Sequence, residues 1–160
     1  MISSSLDFEG SGYSFSFAVK SSLSAESIYS ILLDPAVLKR FNAYADTIDI
    51  TVLDSSTSLV RTVFQVWGYR GESVYKRIIY PDERRIAMLL ESFNHNWDMA
   101  PGPVKARADY HLDSENSHAI LGYSQKVRLK NKPNALLRWI ISMQLNRFKE
   151  TVVAVLEEIE

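Results

Sequence analysis

The chain has 160 residues, 46% apolar and 23% charged, with a formal net charge of −1, values ordinary for one globular domain and foreign to collagen-like, coiled-coil or disordered chains. It contains no cysteine, which excludes disulfides, thiolate nucleophiles and cysteine-ligated metals.

The first segment, MISSSLDFEGSG, lacks a basic region followed by an apolar one and so does not read as a secretory signal. Residues 1–11 are expected to form a flexible polar tail before a single domain over 12–160, with a cytoplasmic address. From 13 to 20, Tyr13, Phe15, Phe17 and Val19 alternate with Ser14, Ser16, Ala18 and Lys20, the period of a half-buried strand. Ser24 is placed to cap a helix over AESIYSILL, with Ile28, Ile31 and Leu32 at helical spacing, until Asp34-Pro35 interrupts it. A second short helix is expected over 36–41.

Six apolar, strand-like segments follow: ITVLD, LVRTVFQVW, ESVYKRIIY, RIAMLLE, VKARADYHL and HAILGYSQKVRL. Residues 134–160 then repeat apolar positions at near-helical spacing, through Leu137, Ile141, Phe148, Val152, Val155 and Ile159, over about seven turns. Leu136, Trp139, Ile140, Met143 and Leu156 broaden that stripe, which predicts a helix set deep against a large surface. Its apolar run ALLRWIISMQL is broken by Arg138 and Gln144 and is shorter than the ~20 residues of a membrane span.

The stretch SLSAESIYSILLDPAVLKRF, together with the order strand, two short helices, six strands and a long final helix, resembles the START-like or SRPBCC superfamily. That group includes polyketide cyclase/aromatases, coenzyme Q-binding proteins, birch-pollen-allergen-like proteins and lipid-transfer domains. The resemblance covers roughly residues 12–160. It implies an α+β helix-grip fold: a curved antiparallel sheet of about seven strands wrapped around the last helix, with a cavity for an apolar ligand between them.

Strand register can be read from the residues themselves. A hairpin turning at Tyr69-Arg70 sets Phe64 opposite Tyr75, Thr62 opposite Arg77 and Val60 opposite Ile79, and the more apolar set marks the inner face. Around Pro81, Ile79 then faces Ile86, Arg77 faces Met88 and Tyr75 faces Leu90. In the last hairpin, Leu112 opposite Ala119 sets Tyr110 beside Leu121, Ala108 beside Tyr123 and Ala106 beside Gln125. The inner face so derived is apolar but carries Thr62, Ser73, Tyr75, Arg77, Tyr110, Tyr123 and Gln125. Such a concavity with a few polar groups is the usual make-up of a small-molecule site. With Phe64, Met88, Ile141, Phe148 and a lid residue, Trp97, these form the candidate ligand-binding set. A buried Arg77 requires an anion, a carbonyl or water; the competing reading has it snorkelling to the rim or paired with a structural acid. The inward tyrosines also read as core residues whose hydroxyls reach backbone.

Catalytic chemistry is sparse. His111 faces outward and His118 lies at a turn. His95 and Asp98 share an H-x-x-D spacing in the loop-like segment ESFNHNWDMAPGP, where Pro101 and Pro103 oppose a helix and Trp97 and Met99 suggest a lid. There is no clustered metal-ligand set, phosphate loop or nucleophile elbow, so no catalytic residue, metal or cofactor is assigned. Residues 126–149 hold Lys126, Arg128, Lys130, Lys132, Arg138, Arg147 and Lys149 with no acidic residue, a run compatible with weak contact with a membrane surface. Most of it is accounted for by outward strand positions, and no nucleic-acid partner is expected. The reading is a carrier or binder of a small hydrophobic or amphipathic molecule such as a lipid, quinone or polyketide-like compound. The alternatives are a cyclase, aromatase or hydratase-like enzyme using Arg77, Tyr75 and Tyr110 with His95 or Asp98, or a protein-interaction module of unknown oligomeric state.

Overall fold

The computed structural model describes residues 3–66, 68–97 and 102–160. Eight strands form one antiparallel sheet: β1 (Ser3–Glu9), β2 (Gly12–Ser21), β3 (Thr47–Val52), β4 (Thr57–Val66), β5 (Tyr69–Tyr80), β6 (Arg85–His95), β7 (Pro103–Glu115) and β8 (His118–Leu129). They lie in the order β1-β2-β8-β7-β6-β5-β4-β3. Two short helices, α1 (Ala25–Leu33) and α2 (Pro35–Phe41), follow β2, and the long α3 (Ala135–Ile159) ends the chain.

The helix starts are those read from sequence. Ser24 accepts from the Ser27 amide, and Asp34 both ends α1 and caps α2, accepting from the Ala36 amide at 2.8 Å with Pro35 at the first turn. The sheet has one strand more than the expected seven because residues 3–9, read as a tail, pair with β2 from Ser3↔Ala18 to Glu9↔Gly12. An edge strand needs only a weak apolar alternation: Leu6 and Phe8 are half-buried while the serines stay exposed.

Inner-face parity holds along the sheet, but two registers differ from those expected, β4–β5 by four residues and β7–β8 by two. Val66 pairs with Tyr69 around Gly68 at φ +82°, so Thr62 faces Ser73, Val60 faces Tyr75 and Ser58 faces Arg77. The turn at Gly68 wins because glycine takes a left-handed backbone without strain. In the last hairpin Asn116 and Ser117 both have positive φ, +48° and +67°, so Glu115 pairs with His118, and Tyr110 lies opposite Tyr123. The β5–β6 register is as expected, with Ile79↔Ile86, Arg77↔Met88 and Tyr75↔Leu90.

Of the segment 91–103, expected to be all loop, residues 91–95 belong to β6 and Pro103 opens β7. β6 continues to His95 through a bulge near Val74/Tyr75, where Ser92 pairs with Val74 and Phe93 with Ser73. The extra residue turns Phe93 and His95 to the inner side. Pairing of β6 with β7 runs only from Arg85↔His111 to Leu89↔Arg107. Asp98 and Met99 lie outside the described residues.

The main core lies between β2, β7, β8, the two short helices and the second half of α3, with Phe15, Phe41, Ile28, Leu121, Leu156 and Val152 as its most enclosed large side chains. Helix α3 is not buried all round as its broad stripe suggested. Leu145, Val152, Val155 and Leu156 face the core, whereas Leu136, Trp139, Ile140 and Met143 face outward.

Candidate functional site

The concave face of the sheet carries the expected set. Thr62, Ser73 and Arg77 are buried, and Tyr110 and Tyr123 are buried beside each other on β7 and β8 with ring centroids 4.9 Å apart. Phe64, Tyr75, Met88, Gln125, Ile141 and Phe148 are half-buried. Trp97 is 60% exposed and makes a tilted ring contact with Tyr69 at 6.0 Å, so it sits on the rim.

At the enclosed end of the site a cavity of about 10 Å³ is lined by Leu32, Leu38, Phe41, Arg77, Ile86, Met88 and Tyr110, room for about one water molecule. Arg77 is 7% exposed there, and its Nη2 donates to the Leu32 carbonyl at 2.8 Å. That carbonyl is one of the last of α1, which has no intrahelical partner and lies at the negative end of the helix dipole. Burial lowers the Arg77 pKa, opposed by nearby Tyr110 and Tyr29, but a guanidinium remains charged. The Tyr29 hydroxyl is buried with no hydrogen-bond partner among the described residues. Arg77 is therefore inside, on a carbonyl, and not at the rim.

Toward the start of α3, Ala106, Val127 and Leu129 form a separate buried apolar cluster, with Tyr13, Tyr75, Leu90, Leu137 and Ile141 packed against it and half-exposed. Four tyrosines, Tyr13, Tyr75, Tyr110 and Tyr123, share this interior. Burial holds Tyr123 well above the usual phenol range, and repulsion from Tyr110, Tyr75, Tyr44 and Tyr13 adds to it. Burial raises Tyr75 to about 12, with Tyr44 contributing. Tyr44 is 52% exposed, and desolvation by the surrounding protein raises it too. Tyr123 donates to Gln125 Oε1 at 3.1 Å, and Tyr44 to Asn42 Oδ1 at 3.1 Å. A larger hollow of about 420 Å³ beneath α2 and the start of β3, lined by Lys39, Asn42 and Asp46 among others, is shallow and polar and does not include these tyrosines.

An aromatic group links β4, β5 and β6 on this side of the sheet. Phe64, Tyr69, Phe93 and His95 make successive ring contacts of 5.5 to 6.3 Å. Phe64 lies over Gly71, where an added Cβ would come within 2.3 Å of the ring, so only glycine admits it. His95 Nδ1 is buried without a hydrogen-bond partner among the described residues.

Sequence reasoning missed Phe93 and His95 as inward residues because an alternating pattern cannot reveal a bulge, although the consecutive polar pair Glu91 and Ser92 marks it. Leu32, Leu38 and Phe41 were missed because they come from helices whose seating on the sheet no strand pattern specifies. His111 is exposed on the outer face, as expected. No group of three or more metal-ligating side chains occurs among the described residues.

Neither the family models nor the curated proteins contain a match to this chain. Solved structures do match. A START superfamily protein from Mycobacterium smegmatis superimposes with a TM-score of 0.68 at 18% identity, over 92% of this chain and 99% of the other. The Zhui aromatase/cyclase from Streptomyces sp. R1128 gives 0.72 at 14% identity, over 92% and 93%. This is the START-like helix-grip fold. Norcoclaurine synthase from Thalictrum flavum, in complex with dopamine and hydroxybenzaldehyde, superimposes with a TM-score of 0.62 at 12% identity over 93% of this chain and 88% of the other. At these identities the likeness is one of fold. No described helix is long and apolar enough to cross a membrane.

Proposed function

We propose that the protein binds a small hydrophobic or amphipathic molecule between the concave face and the first half of α3. One observation carries this reading: Tyr75, Met88, Leu90 and Phe93 on the inner face, and Ile141 and Phe148 on the helix, are only half-buried although they face inward. A core sealed for stability would bury them fully. The tyrosine hydroxyls and Gln125 give an apolar ligand a few points of orientation. Extraction of the purified protein followed by mass spectrometry, and saturation binding of a fluorescent fatty-acid analogue, test it. Saturable binding that Leu90→Trp weakens about tenfold or more by filling the cleft supports the reading; absence of saturable binding, or binding indifferent to Leu90→Trp, overturns it.

A second reading, an enzyme of the aromatase/cyclase kind, is favoured by the enclosed end. Arg77 makes one hydrogen bond there among the described residues, out of five donors, and shares the small cavity with Tyr110. A substrate oxygen reaching that cavity would be polarised by both. Turnover of a polyketide-like substrate that is unchanged in Arg77→Met and Tyr110→Phe would remove this mechanism.

A further inference from the structure

We infer that the outer face of the first half of α3 is a docking surface for an anionic lipid bilayer. Leu136, Trp139, Ile140 and Met143 are 64%, 61%, 36% and 44% exposed. Their spacing of 3, 4 and 7 residues sets them in one stripe. The core-facing Leu145 and Val152 lie on the opposite side of the helix. Among the described residues nothing covers this stripe, and it is not a continuation of the proposed ligand site, whose helix residues Leu137 and Ile141 lie on the inner side.

The charges around the stripe select the occupant. Lys130 and Lys132 are exposed in the loop that leads into α3, and Arg147 follows Met143 by one turn on the same face. None of these three is in an ion pair among the described residues. The helix has no acidic residue before Glu150; the acids at this end, Asp7 and Glu9, belong to β1, beside Phe8, over whose ring Arg138 lies at 5.3 Å. A second copy laid on the stripe would bring these cations against their equals. An anionic bilayer offers the complementary charge, an apolar boundary for Leu136, Ile140 and Met143, and the interfacial level that tryptophan prefers. Lysine and arginine stems at the edge of the stripe reach headgroups without leaving water.

The test is co-sedimentation of the full chain with phosphatidylcholine vesicles, with and without about a third phosphatidylserine. The wild type is expected in the pellet with the phosphatidylserine vesicles at low salt, and in the supernatant with phosphatidylcholine alone or at high salt. Trp139→Ser with Met143→Ser should lower the partition coefficient about tenfold or more, and Lys130→Glu with Lys132→Glu by at least about fivefold per charge. All four positions are exposed, so the thermal melts should match that of the wild type. The inference is overturned by wild-type protein that stays in the supernatant with phosphatidylserine vesicles at low salt, or by either double variant binding like the wild type. It is overturned equally if the wild type sediments as a dimer that Trp139→Ser with Met143→Ser converts to monomer, which would assign the face to a second copy.

Discussion

The Arg77 guanidinium donates to the Leu32 carbonyl at 2.8 Å, tying the middle of β5 to the end of α1. Arg77→Met removes the charge and the donor while keeping most of the volume. The Leu32 carbonyl is then left buried and unpartnered, at a cost of about 1 to 3 kcal/mol, offset in part by relief of the buried charge. Urea denaturation should show a lower midpoint with an unchanged slope; a midpoint equal to that of the wild type would mean that the hydrogen bond contributes nothing net.

Tyr29 gives the opposite sign. Its hydroxyl is buried without a partner among the described residues, so Tyr29→Phe removes an unmet polar group from the interior. The variant should be as stable as the wild type or more stable, by up to about 1 kcal/mol. A clear loss of stability would show that the hydroxyl is satisfied in solution, through water or Arg77.

The interior tyrosines set an alkaline limit. Tyr13, Tyr75, Tyr110 and Tyr123 are all raised, chiefly by burial. The unfolded chain loses these protons near pH 10 while the folded chain keeps them. The unfolded state thus binds fewer protons above that point, and stability falls as pH rises from about 10. Tyrosinate absorbance should appear together with unfolding rather than before it. Tyr75→Phe should lessen the slope of stability against pH between about 10 and 12.

Ser117 sits at φ +67° in the β7–β8 turn. Ser117→Gly relieves a backbone that non-glycine residues adopt reluctantly and restores the Asn-Gly pair favoured in two-residue hairpins. The expected gain is about 0.5 to 1 kcal/mol in thermal or chemical unfolding. A loss would locate the strain elsewhere in the turn.

Much of this was legible in the chain because a strand has period two. Phe15, Phe17, Arg77, Met88, Tyr110 and Tyr123 could be assigned to one face without knowing any pair, since a register error of two or four residues leaves the face unchanged. The actual partners were not legible in two of three hairpins. They depend on whether the turn closes at Gly68 and at Asn116-Ser117, a choice governed by left-handed backbone and not by hydrophobic pattern. The outward apolar stripe of α3 was read as core for a related reason: helical spacing says which residues share a face, but not which face meets the sheet.

The early end of β6–β7 pairing, at Leu89↔Arg107, bears on how the molecule opens. Five residue pairs join the block β1-β2-β8-β7 to the block β6-β5-β4-β3, whereas the neighbouring hairpins are paired along nearly their whole length. The seam is the shortest run of pairing among the described strands, and it runs beside the proposed ligand site. Sub-global fluctuations should part the two blocks there before either melts. In native-state hydrogen exchange, amides of residues 90–95 would lose protection at lower denaturant than those of β7 and β8, giving a ligand a route inward through the sheet wall.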